Sequence, residues 1–374
     1  MSSTKSHKFI LSGGGTGGHI YPAIAIADEI KRREPAAEFL FVGAINKMEM
    51  QKVPAAGFPI KGLWISGLSR KFSLDLLLFP LKFLRSLWNS RKIISSFQPD
   101  IAIGTGGFAS GPVLFAASHM GIPTLLQEQN SYPGITNKKL AKRASAVCVA
   151  YDGLDKIFKN KKVINTGNPI RNELFKSMPT KEEALTFFGL KKEYKTILSV
   201  GGSLGSRNKN KAWEEQIDKI KNKKVQLIWQ TGSIDFERLK GNEKLKADNI
   251  KIIEFIHDMR MAYAAADIIV SRAGAIAISE LCLAGKPVVL MPLPWAAEDH
   301  QTKNAEALVR KNAAFMIKDS EANEKLVPVV LALLKDEQKQ NEMSKNIKRL
   351  AKPNATREIV DEIFSILKKQ SKKR

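Results

Sequence analysis

The sequence predicts an α/β protein made of two nucleotide-fold domains with parallel sheets. Three observations carry that prediction. Short apolar runs alternate with amphipathic helical patterns almost throughout, as repeated strand–helix–strand units do. The opening, Phe9-Ile-Leu-Ser-Gly-Gly-Gly-Thr-Gly-Gly18, is echoed by Thr196-Ile-Leu-Ser-Val-Gly-Gly-Ser-Leu-Gly205, each a strand, a glycine loop with a hydroxyl residue, and a helix. The chain of 374 residues also exceeds what one hydrophobic core ordinarily supports.

The first strand set reads Phe9–Leu11, Glu38–Val42, Ile101–Ile103, Thr124–Leu126 and Ala146–Val149. The second reads Thr196–Val200, Val225–Trp229, Lys251–Glu254, Asp267–Val270 and Pro287–Met291. Between them, Val163 to Arg171 contains the Gly and Pro of a turn. The expected domains are therefore 1–167 and 168–352, followed by a terminal segment, 353–374. That segment holds a helix from Thr356 to Lys368 with Ile359, Ile363, Phe364, Ile366 and Leu367 on its apolar face. The basic run from Lys368 to Arg374 reads as a disordered, solvated tail. Ligands of such sheets bind beyond the carboxyl ends of the strands, so the expected site is a cleft that the two domains face.

Composition narrows the partners. Sixty Lys and Arg against 37 Asp and Glu give a formal charge of +23, which calls for a polyanion: nucleic acid, an anionic membrane surface or a phosphorylated substrate. The basic residues are scattered and the glycine loops lack interleaved aromatics, which argues against nucleic acid. Cys148 and Cys282 lie in apolar surroundings and read as buried, reduced and structural. Met1 to Lys8 is polar, without the apolar region of a signal peptide, and no run of about 18 uncharged apolar residues suggests a spanning helix.

The first glycine loop, Gly13 to His19, contains G-x-G-x-x-G at Gly13, Gly15 and Gly18. A dinucleotide would also need an acid at the end of the second strand. Here Gly43-Ala44 stand there and Glu49 comes late, so nicotinamide and flavin are disfavoured, and no Gly-Lys-Ser/Thr follows to make a P-loop. What is left is a helix N-terminus able to seat a phosphate or polar group. His19 stands at its head, where the helix dipole disfavours the imidazolium and leaves a neutral ring suited to a general base.

A second glycine loop, Gly104 to Pro112 with Gly106 and Gly107, follows the third strand, and Gln127-Glu128-Gln129-Asn130 follows the fourth. In the second half Gly201 to Ser206 repeats the phosphate-seat pattern. Ser271 to Glu280 places a glycine turn before a helix whose first amides, Ala275 to Ala277, would face a diphosphate. Glu280 lies within reach of a ribose, and the polar loop Pro292 to Ala305 suits a sugar. Leu74 to Trp88 forms a helix apolar on nearly every face, with a narrow polar strip at Lys82, Arg85 and Asn89; such a helix is buried or touches lipid. Pro80 and the charges argue against spanning. Arg70, Lys71, Arg91 and Lys92 favour anionic headgroups at about 1 kcal/mol each, so peripheral binding through Leu77, Leu81, Leu84, Trp88, Lys82 and Arg85 is expected.

Gly14-Gly-Thr-Gly-Gly-His19, Glu128-Gln-Asn130, Gly167-Asn-Pro-Ile-Arg171, Gly201-Gly-Ser-Leu-Gly205, Ser271-Arg-Ala-Gly-Ala275 with Ser279-Glu280, and Asp299-His-Gln301 with Asn304-Ala305 occur in this order. In that order they resemble the MurG glycosyltransferase family over about residues 8 to 367. The resemblance implies a GT-B fold, two Rossmann-like domains facing across a cleft with the last helix crossing back to the first. It implies inverting transfer of GlcNAc from UDP-GlcNAc to the C4 hydroxyl of lipid I, giving lipid II, without an essential metal or other cofactor. The partners it implies are UDP-GlcNAc, lipid I, the anionic cytoplasmic face of the inner membrane and other cell-wall synthesis proteins. By the same resemblance His19 is the base and Glu128 a second catalytic residue. Thr16, Gly17, Gly18, Asn130, Arg171, Ser203, Ile256, Ala275, Ile276, Ala277, Ile278, Ser279, Glu280 and Gln301 bind the donor. Gly14, Gly15, Gly106 and Gly107 face the acceptor diphosphate, and Ile256 holds uracil through its backbone. His300 stands where some members carry Gln. A UDP-sugar epimerase of the same fold shares the donor motifs but needs no lipid site, and a basic nucleic-acid-binding protein would account for the charge; the Leu74–Trp88 stretch favours the transferase.

Overall fold

A computed structural model of the chain describes residues 6–67, 78–158, 162–170, 175, 177–202, 204–221 and 223–372. It divides into two compact units, Met1–Arg171 together with Asn354–Arg374, and Asn172–Pro353.

The first unit holds a seven-stranded sheet in the order β3-β2-β1-β4-β5-β6-β7. Its strands are β1 (Lys8–Gly13), β2 (Glu38–Ala44), β3 (Ile60–Leu63), β4 (Ile101–Gly106), β5 (Thr124–Glu128), β6 (Ala146–Val149) and β7 (Val163–Asn165). All pairings are parallel, with Phe9 opposite both Phe39 and Ile101. Phe9, Ile10 and Leu11 are all fully buried, because helices cover both faces of the sheet. Helices α1 (Gly17–Arg33), α2 (Glu49–Ala55), α3 (Phe79–Phe97), α4 (Ser110–His119) and α5 (Ile135–Ala141) belong to this unit.

The second unit repeats the plan with six strands in the order β10-β9-β8-β11-β12-β13. These are β8 (Lys195–Val200), β9 (Val225–Gln230), β10 (Ile250–Ile253), β11 (Ile268–Ser271), β12 (Val288–Leu290) and β13 (Phe315–Met316), again parallel. Its helices are α6 (Lys181–Phe187), α7 (Arg207–Glu215), α8 (Phe236–Lys240), α9 (Met259–Ala265), α10 (Ala275–Ala284), α11 (His300–Val309), α12 (Ala322–Lys335) and α13 (Glu337–Lys348). In each sheet the strand order reverses once, between β1 and β4 and between β8 and β11, and open sheets of this kind bind ligands beyond the carboxyl ends of the strands at that point.

The last helix, α14 (Ala355–Ser371), belongs to the first unit. Ile359, Val360, Ile363, Ile366 and Leu367 join one core with Phe9, Leu11 and the inner face of α1. Arg33 of α1 pairs with Asp361 at 2.5 Å, and Lys162 with Glu362 at 2.7 Å. The helix continues to Ser371, so Lys368 to Ser371 is ordered rather than a disordered tail. Leu367 anchors this turn, and lysines there meet the negative end of the helix dipole.

Two other expectations change. Val163 to Asn165 is not part of a linking turn but the edge strand β7, paired with Val147 to Val149. Strands β4 and β5 run on to Gly106 and Glu128, so Gln127 and Glu128 are strand residues. Cys148 and Cys282 are buried free thiols, each pushed up to about 12 mainly by burial.

The α3 helix corrects the surface expectation for Lys82. Leu77 lies outside the described residues. Lys82, Ser86, Ser90 and Ile94 form the buried stripe of α3, one turn apart. The Lys82 ammonium donates to Ser66 Oγ at 3.3 Å and lies 5.4 Å from the Trp64 ring centre, turned into the unit. Leu81, Leu84 and Trp88 face outward at 56%, 63% and 57% exposure, with Arg85 also exposed. The small side chains of Ser86 and Ser90 permit close packing of the polar stripe, and this leaves the large apolar groups outside.

Replacing the buried Ile363 with Ala removes packing shared by α14, α1 and β1. The expected outcome is a loss of about 2–5 kcal/mol in urea unfolding; an unchanged midpoint would show that α14 does not contribute to the core.

Candidate active site

Two glycine loops meet at the carboxyl end of the first sheet. Gly107 has φ +81°, and a Cβ there would lie 2.1 Å from the Gly14 carbonyl oxygen. Gly106 has φ +97°, and a Cβ there would lie 2.8 Å from His19 Nδ1. Only glycine lets the β4 loop adopt this conformation and lie against both the β1 loop and the histidine ring.

The amides of Gly14 and Gly15, expected to face the acceptor diphosphate, are engaged within the fold. Gly14 N–H donates to the Gly106 carbonyl at 3.4 Å, and Gly15 N–H donates to Glu49 Oε2 at 3.1 Å. Glu49 is fully buried, and its Oε1 accepts from the Ala44 amide at 3.0 Å. The late acid of the sequence thus turns inward and ties the end of β2 to the β1 loop. Its position along the chain carries no sign of this role, because both amides it holds are brought to it by the sheet. Thr16, Gly17 and Gly18 remain at the open start of α1, where Gly17 and Gly18 have no carbonyl one turn back. Thr16 and Gly18 are exposed.

His19 is held by its Nδ1, 2.9 Å from the Thr105 carbonyl and 3.0 Å from Gln129 Oε1. A carbonyl oxygen can only accept, so Nδ1 carries the proton and Nε2 the lone pair. Thr105 Oγ1 donates back to the His19 carbonyl at 2.7 Å. Gln129 Nε2 donates to the Thr105 carbonyl at 2.7 Å and also meets Gln127 Oε1. Gln127 donates to Asn168 Oδ1 at 3.0 Å, and Asn168 donates to the Gln129 carbonyl at 3.1 Å. This buried amide chain fixes the ring. Thr105 in it was not singled out by sequence, because its contribution is mostly a backbone carbonyl.

Glu128 is 2% exposed and both its oxygens are occupied. Oε1 accepts from the Asn130 amide at 3.0 Å and its side chain at 3.2 Å; Oε2 accepts from Gly134 N at 3.2 Å and Asn137 Nδ2 at 2.8 Å. That geometry makes it a clamp that positions Asn130, rather than a group with an open lone pair for proton transfer.

In the second unit, Ala275, Ile276 and Ala277 open α10 behind Gly274, which provides no side-chain cap. Ile278 is buried, and Ser279 Oγ bonds back to the Ala275 carbonyl at 3.1 Å. Glu280 Oε2 accepts from the buried Tyr263 hydroxyl at 2.9 Å. Burial, followed by the Glu280 charge, pushes that phenol well above its ordinary value, so it stays a donor. Ile256 is buried with its amide 3.5 Å from Gln230 Oε1, and Gln230 Nε2 donates to the Gly202 carbonyl at 3.0 Å. Gln301 Oε1 accepts from the Leu293 amide at 2.9 Å, folding the loop after β12 onto the start of α11. His300 stands 3.5 Å from Glu298. Arg171 and Ser203 lie outside the described residues. Arg272 donates to the Met291 and Pro292 carbonyls at 3.1 Å and to Asp319 at 2.5 Å, pinning three segments together. Among the described residues no group of three or more His, Cys, Asp or Glu is arranged to hold a metal ion.

Residues 9–149 match the Glycosyltransferase family 28 N-terminal domain and residues 196–359 its C-terminal domain. Relatives in Christiangramia forsetii and Cytophaga hutchinsonii bear the name UDP-N-acetylglucosamine–N-acetylmuramyl-(pentapeptide) pyrophosphoryl-undecaprenol N-acetylglucosamine transferase. The first is 54% identical over 96% of this chain and 98% of its own; the second is 52% identical over 98% and 99%. The crystal structure of Acinetobacter baumannii MurG is similar with a TM-score of 0.79 and 28% identity, covering 96% of this chain and 99% of that one. A UDP-N-acetylglucosamine 2-epimerase, 16% identical with a TM-score of 0.65 over 96% and 95%, shares the fold.

Glu49→Gln leaves one of the Ala44 and Gly15 amides facing an NH2 group. A stability loss of about 1–3 kcal/mol is expected in urea unfolding; full stability would mean that the carboxylate does not hold the loop.

Proposed function

The chain belongs to the MurG family of glycosyltransferase family 28, and from that membership we propose how its residues carry the reaction. It has the GT-B fold and is a UDP-GlcNAc-dependent N-acetylglucosaminyltransferase. It moves GlcNAc to the undecaprenyl-diphosphate-linked N-acetylmuramyl pentapeptide, turning lipid I into lipid II.

The acceptor's C4 oxygen bonds to the anomeric carbon as the bond from that carbon to the UDP β-phosphate oxygen breaks. The hydroxyl proton passes to His19 Nε2 and the electron pair leaves on UDP. The observation that carries this role is the Nδ1 contact with the Thr105 carbonyl, which fixes the tautomer whose Nε2 lone pair is the acceptor. Glu128 acts through Asn130, which contacts the donor sugar. The starts of α7 and α10 hold the departing diphosphate, doing the electrostatic work that other enzymes give to a cation. Glu280, oriented by Tyr263, holds the ribose. Thr16, Gly17 and Gly18 meet the substrates at the start of α1, Ile256 holds uracil and Gln301 the GlcNAc hydroxyls. Arg171 and Ser203 keep the donor-binding roles that the resemblance implies.

We further propose that the protein attaches peripherally to the anionic inner face of the membrane. No helix among the described residues is long and apolar enough to cross a membrane. Support comes from the outward Leu81, Leu84 and Trp88 with Arg85 beside them, and from the Lys92 ammonium 3.5 Å from the Trp88 ring centre. Buried Lys82 has no part in it.

With labelled UDP-GlcNAc and a soluble lipid I analogue, His19→Ala is expected to lower kcat by about 10²–10⁴-fold. Glu280→Ala is expected to act mainly on KM for the donor. Full turnover by His19→Ala would remove the base assignment, and loss of activity in EDTA that magnesium restores would remove the metal-free reading. In flotation, wild type is expected to rise with anionic vesicles at low salt and Leu84→Glu/Trp88→Glu to remain below; equal behaviour would remove the docking assignment.

A further inference from the structure

Beside Gly201, Gly205 and Ser206 lies a lysine to which the reading above gives no role. Lys209, in the first turn of α7, is fully buried, and its Nζ has no hydrogen-bond partner. A Cβ on Gly201 would lie 3.1 Å from that Nζ, from the Gly205 carbonyl carbon and from the Ser206 nitrogen alike. The amine therefore shares with Gly205 and Ser206 the space beside Gly201 that a Cβ would enter, at the point where the strand order of the second sheet reverses. Ser206, at the N-cap of this nine-residue helix and 4% exposed, also has a buried Oγ without a partner.

The neighbouring charges do not answer Lys209. Arg272 and Asp319 are the charged groups whose fields reach it. Asp319 already accepts from Arg272 at 2.5 Å and from Asn208 Nδ2 at 2.6 Å. Burial first, then Arg272, push the ammonium well below the ordinary lysine range, while Asp319 opposes them. Stability alone would favour an apolar side chain of similar length here, since an unpaired buried amine is costly.

We propose that Lys209 is a positioning residue for the donor's diphosphate, a buried amine that the fold leaves unpaired and that the charge of the bound nucleotide answers across Gly201, Gly205 and Ser206. The proposal rests on the donor-site reading of the second unit. Arriving phosphate charge favours the protonated amine, so nucleotide binding at mildly alkaline pH is accompanied by proton uptake. In the free protein the sign is opposite. The unfolded chain holds the lysine proton more tightly, so stability rises with pH between the lowered folded-state pKa and the ordinary lysine value.

The test is calorimetric titration of wild type and Lys209→Met with UDP and with uridine, which lacks the phosphates. Wild type is expected to bind UDP. Lys209→Met, with a thermal midpoint no lower than wild type, is expected to bind UDP about tenfold or more weakly while uridine affinity changes by less than about twofold. Unchanged UDP affinity, or equal weakening of UDP and uridine, overturns the role of Lys209. If the variant does not fold, wild type titrated in buffers of different ionisation enthalpy decides: proton uptake with UDP and not with uridine supports the role, and its absence overturns it. Wild type that fails to bind UDP overturns the donor-site reading itself, and the proposal with it.

Discussion

Backbone lying directly against backbone governs the first unit. The Gly14 carbonyl occupies the space that a Cβ on Gly107 would need, and the His19 ring occupies the space beside Gly106. Once these loops touch, their polar groups must be satisfied locally, because water is excluded between them. Glu49 answers the Gly15 and Ala44 amides, and Thr105 answers the histidine. The ring is oriented because the glycines are small, and its tautomer is set because the atom facing it is a carbonyl.

The second unit uses the same plan with a different balance of charge. Arg272 is fully committed to two carbonyls and Asp319, so it braces the strand ends. The helix starts at α7 and α10 supply partial positive charge, and Tyr263 steers one oxygen of Glu280. Lys209 differs from all of these in having no partner. A protein that keeps such a group in its core gives up stability there, which is how a binding site differs from a packing site.

The α3 helix shows how packing can reverse one residue of a compositional reading. Of the polar strip at Lys82, Arg85 and Asn89 only Lys82 is buried, because small serines on its side let elements approach closely. Ser86 and Ser90 therefore face inward with the Lys82 stem, while Leu84 and Trp88 face outward. Leu81, Leu84, Trp88 and Arg85 are outward as the sequence led one to expect, and Lys82 alone is reversed. The cations beside the outward apolar face are Arg85 and Lys92.

The sequence by itself determined the α/β class, the internal repeat, the parallel strands of both halves and the residues that identify the family. These depend on local periodicity and on glycine and hydroxyl spacing, which are written consecutively along the chain. It also placed His19 at a helix start, because the turn before it is unambiguous. Tertiary structure alone decided what each polar group faces. Glu49 lies far from Gly15 in sequence and touches it through the sheet, and Lys209 meets the loop only because Gly201 leaves room. Short β3, β7 and β13 have too few residues to carry a pattern, and they form because a neighbouring strand offers unpaired amides and carbonyls. Which face of α3 is inward, and which nitrogen of His19 can accept a proton, depend on partners brought together by folding, and no local pattern encodes them.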